Sequence, residues 1–126
     1  MHGCRQPETG KDIAMLTLRL DDRHDAFAVL ESTRLSQAAI MTLAAGERTG
    51  TPTASEHPQA DQWLLVLSGT GEARGERERH RLAPGVLLVI PAGQGHEIHN
   101  TGVEPMRSLN IYAPLAYARS GDPLQE

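Results

Sequence analysis

The chain has 126 residues, with 16 acidic and 12 basic side chains and a formal net charge of −4. This length suits one small domain with a single core and is too short for two. The acidic balance and the shortage of aromatic side chains argue against a nucleic-acid partner. The mixed charges at 77–81 predict a solvated hairpin, and the 12 glycines and 8 prolines are typical of short strands joined by tight turns.

About nine short strands are predicted, each alternating or apolar in sequence and most of them bounded by turn residues. No helical period of useful length interrupts them. The sequence therefore predicts an all-β sandwich or barrel. In chain order the predicted strands are 14–20, 26–31, 37–44, 62–68, 72–74, 77–82, 86–90, 96–100 and 106–112.

The two ends of the chain differ from this pattern. Residues 1–12 are polar and rich in turn residues, and they are predicted to form a flexible N-terminal arm. The barrel is predicted over 13–113, and residues 114–126 are predicted to form a C-terminal tail. The single cysteine, Cys4, excludes an intramolecular disulfide framework. With no recognisable signal peptide and no membrane span, a cytoplasmic location is expected.

The most specific spacing in the chain lies in residues 85–100. Gly85 is followed by five residues, Pro91, one residue, Gly93, two residues, His96, three residues and Asn100. Gly85 suits a turn with positive φ, and Pro91 and Gly93 end an apolar strand. The strand that follows turns His96 to one face together with every second residue. Asn100 is expected to serve the turn that comes next.

This spacing resembles the second motif of the cupin superfamily, in which the histidine is a metal ligand. The resemblance implies a single cupin-type double-stranded β-helix, the jelly-roll barrel. The first cupin motif is matched less well. Anchoring it on Gly69 places Gln62 where the family carries glutamate. A four-residue gap then puts its two histidine positions on Ser55 and His57, and a three-residue gap puts them on Glu56 and Pro58.

The register with His57 is preferred because it retains a histidine. The resemblance then implies a divalent transition metal, such as zinc, nickel, iron, copper or manganese, held by His57, Gln62 and His96. The Gln62 amide is a weaker ligand than carboxylate. Structural roles stay open for all three side chains, since a histidine in a barrel is often a hydrogen-bonded core residue and Gln62 can cap a strand.

If Gln62 points inward, alternation along its strand turns Trp63, Leu65 and Leu67 outward. An exposed row of this kind predicts a homodimer whose interface covers it. The inward residues predict a largely hydrophobic pocket for a small organic molecule. The residues expected to line this pocket are Leu64, Val66, Ile98, Asn110 and Tyr112.

Two functions follow from these expectations. The first is a barrel that binds a metal and a small organic ligand, including metal-dependent enzymes of the dioxygenase, isomerase or cyclase type. The second is a non-catalytic barrel that binds or senses a small ligand and retains the motif for its architecture. The sequence assigns no catalytic residue and no reaction, because one fold and similar ligands serve many chemistries.

Overall fold

The structure is a computed structural model that describes residues 14–124, so the predicted arm at 1–12 lies outside the described residues. The described part is all-β and contains nine strands and no helix, so none of its segments is a helix that could span a membrane. The strands are β1 (Phe27–Ser32), β2 (Gln37–Leu43), β3 (Arg48–Thr51), β4 (Asp61–Ser68), β5 (Gly71–Arg74), β6 (Arg79–Leu82), β7 (Leu87–Ile90), β8 (His96–Asn100) and β9 (Met106–Ala113).

The strands form two antiparallel sheets. The five-stranded sheet has the order β1-β2-β9-β4-β7, and the four-stranded sheet has the order β3-β8-β5-β6. The inner faces of both sheets supply an apolar core, and this arrangement is the double-stranded β-helix that the sequence predicted. The main buried cluster is formed by Met41, Leu43, Leu64, Val66, Ala73, Leu82, Ile98 and Met106.

Alternation along β4 decides which side chains reach the interior. Gln62, Leu64 and Val66 are buried, whereas Trp63 between them is 43% exposed. The prediction of which β4 side chains point inward is therefore confirmed. On β8 the residues His96 and Ile98 are buried as predicted, but Glu97 between them is buried too, where it pairs with Arg48 and Arg74.

Two strand predictions were wrong. Residues 14–20 alternate in sequence but form no strand, and Met15 is fully exposed. An alternating sequence forms a strand only where a neighbouring strand can pair with its backbone. Within the described residues, no strand pairs with this segment. Conversely, β3 was missed because it is short and polar and contains Gly50. A Cβ at Gly50 would lie 2.3 Å from the His96 carbonyl oxygen, so glycine permits the close pairing of β3 with β8.

Turn chemistry follows the sequence more closely. Gly85 has a φ of 90°, as its place in the predicted turn required. Asn100 serves the next turn, because its side-chain oxygen accepts a hydrogen bond from the Gly102 amide. Its side-chain nitrogen also donates to the carbonyls of Leu43 and Glu104, so Asn100 joins the turn to β2.

The segment predicted to be a C-terminal tail packs against the barrel over its described residues. Ala116 and Tyr117 are buried and belong to a second apolar cluster with Ala39, Ala60 and Tyr112. The prolines and glycine beyond β9 indicate the end of regular strand, but they carry no information on whether the segment folds back. The barrel boundary at 113 therefore marks the last strand and not the last core residue.

Candidate functional site

A cavity of about 290 Å³ lies between the sheets, at the end where β4 and β8 begin and β9 ends. Aromatic, aliphatic and polar side chains converge on it. This composition is typical of a pocket for a small molecule, with apolar walls and a few polar groups. Its lining includes Phe27, Arg48, Glu56, His57, Gln62, His96, Ile98, Tyr112 and Tyr117.

The structure brings together the three side chains for which the sequence implied metal binding. The rings of His57 and His96 lie 5.2 Å apart, and His57 Nε2 lies 2.7 Å from Gln62 Oε1. His57 is buried and Pro58 is exposed. Of the two registers of the first motif, the one with Ser55 and His57 is therefore the register that brings a histidine to Gln62 and His96.

A hydrogen-bonded chain supports Gln62 from behind. The Gln62 side-chain nitrogen donates to Asn110 Oδ1 at 2.8 Å, and Asn110 Nδ2 donates to Ser108 Oγ at 3.1 Å. Asn110 Nδ2 also lies 3.4 Å from the Ser108 carbonyl oxygen, which can only accept. This acceptor fixes the direction of both amides. The Gln62 oxygen is consequently directed at His57.

Both histidines are anchored at Nδ1 by a backbone carbonyl. His96 Nδ1 donates to the Gln94 oxygen at 3.0 Å, and His57 Nδ1 lies 3.3 Å from the Ala60 oxygen. A neutral imidazole with its proton on Nδ1 carries a lone pair on Nε2. Burial lowers the pKa of His96 below its ordinary value of 6.5, which favours this neutral form.

The tautomer of His57 decides what lies between it and Gln62. With the His57 proton on Nδ1, the Nε2 lone pair faces the Gln62 oxygen at 2.7 Å, and a metal ion beside both atoms would make this contact favourable. With the proton on Nε2, the ring donates to the Gln62 oxygen without an ion and loses only the longer contact of 3.3 Å to the Ala60 oxygen. Two donors that each lie about 2.1 Å from one ion are roughly 3 Å apart, which is close to the 2.7 Å between the His57 nitrogen and the Gln62 oxygen.

The donor set therefore fits a borderline transition metal. It offers two imidazole nitrogens and one amide oxygen, with the other nitrogen of each ring near a carbonyl, as metal-bound histidines usually have. The described residues contain no cluster of three or more His, Cys, Asp or Glu side chains suited to a metal. The third donor is thus neutral, and weaker binding than in a site with a carboxylate follows.

The predicted pocket residues fall into three positions. Ile98 and Tyr112 line the cavity, and Asn110 lies behind Gln62. Leu64 and Val66 point inward as expected but belong to the apolar core and not to the lining. Each step of two residues along β4 moves a side chain by roughly 7 Å, which carries these two beyond the cavity.

Among the lining residues that the sequence did not predict for the pocket, four matter for the site. Phe27 and Tyr117 lie outside the two motifs, and their rings pack 4.8 Å apart. Arg48 belongs to the missed strand β3 and pairs with the buried Glu97 at 3.3 Å. Glu56 is an exposed carboxylate of the lining and its charge raises the pKa of Tyr117, after the larger effect of burial. The aromatic character of Tyr117 was the one available signal.

Comparisons with known proteins agree with the fold. A family model described as a cupin domain matches residues 39–112. The uncharacterized protein YrkC of Bacillus subtilis is 33% identical over 84 residues, which are 62% of this chain and 44% of that protein. The tetracenomycin polyketide synthase protein TcmJ of Streptomyces glaucescens is 35% identical over 60 residues, 48% of this chain and 40% of its own length. The chain thus spans less than half the length of these relatives.

Solved structures share the fold at lower sequence identity. The BH2720 protein of Bacillus halodurans superposes with a TM-score of 0.76 at 24% identity, covering 89% of this chain and 90% of that one. KdgF from a Halomonas species gives 0.61 at 24% identity, covering 70% and 76%. At this identity the likeness shows the double-stranded β-helix and nothing about ligands.

Proposed function

The chain belongs to the cupin domain family, and from that premise we propose that its pocket binds a small organic molecule together with a divalent transition metal. The observation that carries this proposal is the convergence of His57, Gln62 and His96 on one cavity. The relative named as a polyketide synthase protein supports a small organic ligand, since it matches this chain at 35% identity. It supports no particular reaction.

Each side chain of the site has a distinct part in this proposal. The two Nε2 atoms and the Gln62 oxygen would hold the ion, and Asn110 keeps the Gln62 amide in the orientation that presents its oxygen. A bound divalent ion polarises an oxygen atom of the ligand. The walls formed by Phe27, Ile98 and Tyr112 exclude water and hold the apolar part of the ligand.

Metal analysis of the purified protein tests the proposal most directly. Purified protein is stripped with a chelator and titrated with zinc, nickel, iron and manganese by calorimetry. We expect one ion per chain and a preference for the nitrogen-binding metals over manganese, because two of the three donors are imidazoles. Absence of heat with all four metals, in protein that is folded by circular dichroism, would contradict metal binding.

A metal-free binding barrel is the second candidate, and the continuous chain from His57 through Gln62 and Asn110 to Ser108 favours it. This chain satisfies the buried side chains without an ion when the proton of the neutral His57 ring is on Nε2 and is donated to the Gln62 oxygen. On this hypothesis the pocket binds its organic ligand equally well with and without zinc. On the metal hypothesis removal of zinc weakens that binding.

We further propose that the protein is a homodimer that covers the outer face of the five-stranded sheet. Trp63 pairs with Val89 and Leu65 with Leu87 across β4 and β7. Trp63, Val89 and Leu87 are 43%, 47% and 53% exposed, which makes a contiguous apolar patch at an edge strand. A patch of this kind on a soluble domain commonly marks an interface, and a stable dimer buries more than about 1,000 Å².

Light scattering after size exclusion tests the dimer. We expect twice the chain mass for the wild type and the single-chain mass for Trp63→Glu, because a charge in the patch opposes its burial. Leu35→Glu is the matched control, since Leu35 is also exposed but lies in the turn between β1 and β2. A single-chain mass for the wild type would overturn the dimer.

A further inference from the structure

Tyr117 reaches the pocket from outside the segment that the family model matches. The model ends at residue 112, and Tyr117 follows the last strand. Residues 116–124 form a small hairpin in which the Leu124 amide donates to the Ala116 carbonyl and Tyr117 bridges to Pro123. The hairpin therefore adds a wall to the cavity that the two family motifs do not supply.

One buried amide fixes the hairpin to the barrel. Gln37, which is 2% exposed, donates from its side-chain nitrogen to the Tyr117 carbonyl at 2.7 Å and to Ser32 Oγ at 2.9 Å. Its side-chain oxygen accepts from the backbone amides of Tyr117 at 3.1 Å and Ala116 at 3.3 Å. Two of these four hydrogen bonds hold the Tyr117 backbone from both sides, a third holds the neighbouring Ala116, and the fourth ties Gln37 to Ser32. The position of the Tyr117 ring is thereby set before any ligand binds.

The Tyr117 ring belongs to an aromatic group around the cavity. Its centroid lies 4.8 Å from that of Phe27, 5.1 Å from that of Tyr112 and 6.4 Å from that of His57. The phenol groups of Tyr112 and Tyr117 interact, and burial raises the pKa of both, so both hydroxyls keep their protons. A phenol can accept one hydrogen bond and donate another. The Tyr117 hydroxyl, on the wall of the cavity, can therefore donate to a ligand.

The volume, the aromatic walls and the charge of the cavity limit the size and the chemical class of its ligand. A volume of about 290 Å³ holds roughly ten water-sized groups, which corresponds to one ring with small substituents. Tilted and edge-on aromatic packing is favourable, so these walls suit an aromatic ring. Two carboxylates, Glu47 and Glu56, also line the cavity, and the arginine of the lining, Arg48, is already paired with Glu97. The charge around the cavity therefore opposes a carboxylate ligand.

We propose that Tyr117 selects the ligand by donating a hydrogen bond to an oxygen of an uncharged, single-ring phenol bound in this cavity. The inference rests on the proposed function, because it requires the pocket to bind a small organic molecule. It adds to that function the class of ligand and a recognition group outside the family motifs. Tyr117 acts here as a ligand contact and has no part in holding the metal.

Calorimetric titration of the full chain with catechol tests the inference, with and without zinc. We expect Tyr117→Phe to bind catechol roughly three- to tenfold more weakly, the effect of one lost hydrogen bond. Toluene has the ring but no oxygen, so its affinity should be the same for the wild type and Tyr117→Phe. Arg119→Ala, an exposed change in the same hairpin, is the matched control and should leave catechol binding unchanged.

The outcomes separate this inference from the proposed function. Equal catechol affinity of the wild type and Tyr117→Phe overturns it, as does a loss of toluene binding as large as the loss of catechol binding. Benzoate that binds as tightly as catechol overturns the preference for an uncharged ligand. A wild type that binds zinc but not catechol overturns this inference and leaves metal binding standing. Failure to bind zinc, catechol and toluene overturns both.

Discussion

The two ends of the barrel interior are built from the same strands but have opposite chemistry. The polar end contains Gln62 on β4, His96 on β8 and Tyr112 on β9, whereas Val66 and Met106 lie at the apolar end of β4 and β9. Between them Leu64 pairs with Asn110 and Val66 with Ser108. The inward faces of β4 and β9 therefore change from polar to apolar within six residues, whereas β8 ends on the buried Asn100, whose side chain is used in the turn.

This difference separates stability from binding along the barrel. Buried aliphatic side chains at the apolar end contribute the hydrophobic free energy of folding. The polar end keeps buried amides and imidazoles whose hydrogen bonds must all be made, because an unpaired buried polar group is costly. A substitution at one end should consequently affect unfolding, and a substitution at the other should affect ligands.

The largest expected effect is on stability at the apolar end. Leu82 is fully buried in the main cluster, so Leu82→Ala removes its contacts and leaves a cavity. We expect a loss of about 2–5 kcal/mol in the free energy of unfolding in urea. Zinc affinity of the folded variant should remain unchanged. A Leu82→Ala protein that loses zinc affinity while keeping its stability would contradict the separation.

The next effect is on metal binding at the polar end. His96→Ala removes one of only two imidazoles, and we expect zinc affinity to fall at least about 100-fold, since even second-shell changes cost 10–100-fold. His80→Ala is the control, because His80 is an exposed histidine paired with Glu78. Calorimetry measures both affinities, and equal losses in the two variants would show that the zinc was not bound in the pocket.

A smaller effect in the opposite direction is expected from Gln62→Glu. A carboxylate offers a charged oxygen to the ion, and we expect zinc affinity to rise on the order of tenfold. In this variant Asn110 must reverse its amide to donate to the carboxylate. The reversal gives up the 3.4 Å contact with the Ser108 carbonyl oxygen and leaves the Ser108 hydroxyl as a donor to Asn110, which limits the gain. Gln59→Glu adds the same charge at an exposed position nearby and should have little effect. Equal tightening in both variants would indicate a general charge effect.

The smallest effect concerns pH. Burial lowers the pKa of His96 below 6.5 in the fold, so the unfolded chain takes up the proton first as the pH falls. The metal-free protein should therefore keep its full stability above about pH 6.5 and lose part of it as the pH falls towards the folded-state pKa. Urea unfolding between pH 7.5 and 5.0 measures this slope. His96→Ala should reduce it, and an unchanged slope would assign the effect to another group.

The division of the barrel interior into a polar end and an apolar end could be predicted only in part from the sequence. Period-2 alternation correctly placed Gln62, Leu64 and Val66 inside, and it correctly turned Trp63 outward. Alternation identifies a face of a strand but not a depth along the barrel, so it could not tell that Leu64 and Val66 lie below the cavity. Alternation also predicted a strand at 14–20, where none of the described strands pairs with the segment.

The sequence by itself determined the fold class, the turns at Gly85 and Asn100, and the inward faces of β4 and β8, because these depend on local backbone preferences and on a two-residue period. Only the tertiary structure decided that His57 meets Gln62 and His96, that Asn110 directs the Gln62 amide, and that Gln37 carries Tyr117 into the cavity. Apart from His57 and Gln62, which are five positions apart, these contacts join residues that are distant along the chain, up to 80 positions for Gln37 and Tyr117. No local pattern records them, because they arise only when the two sheets close around a common interior.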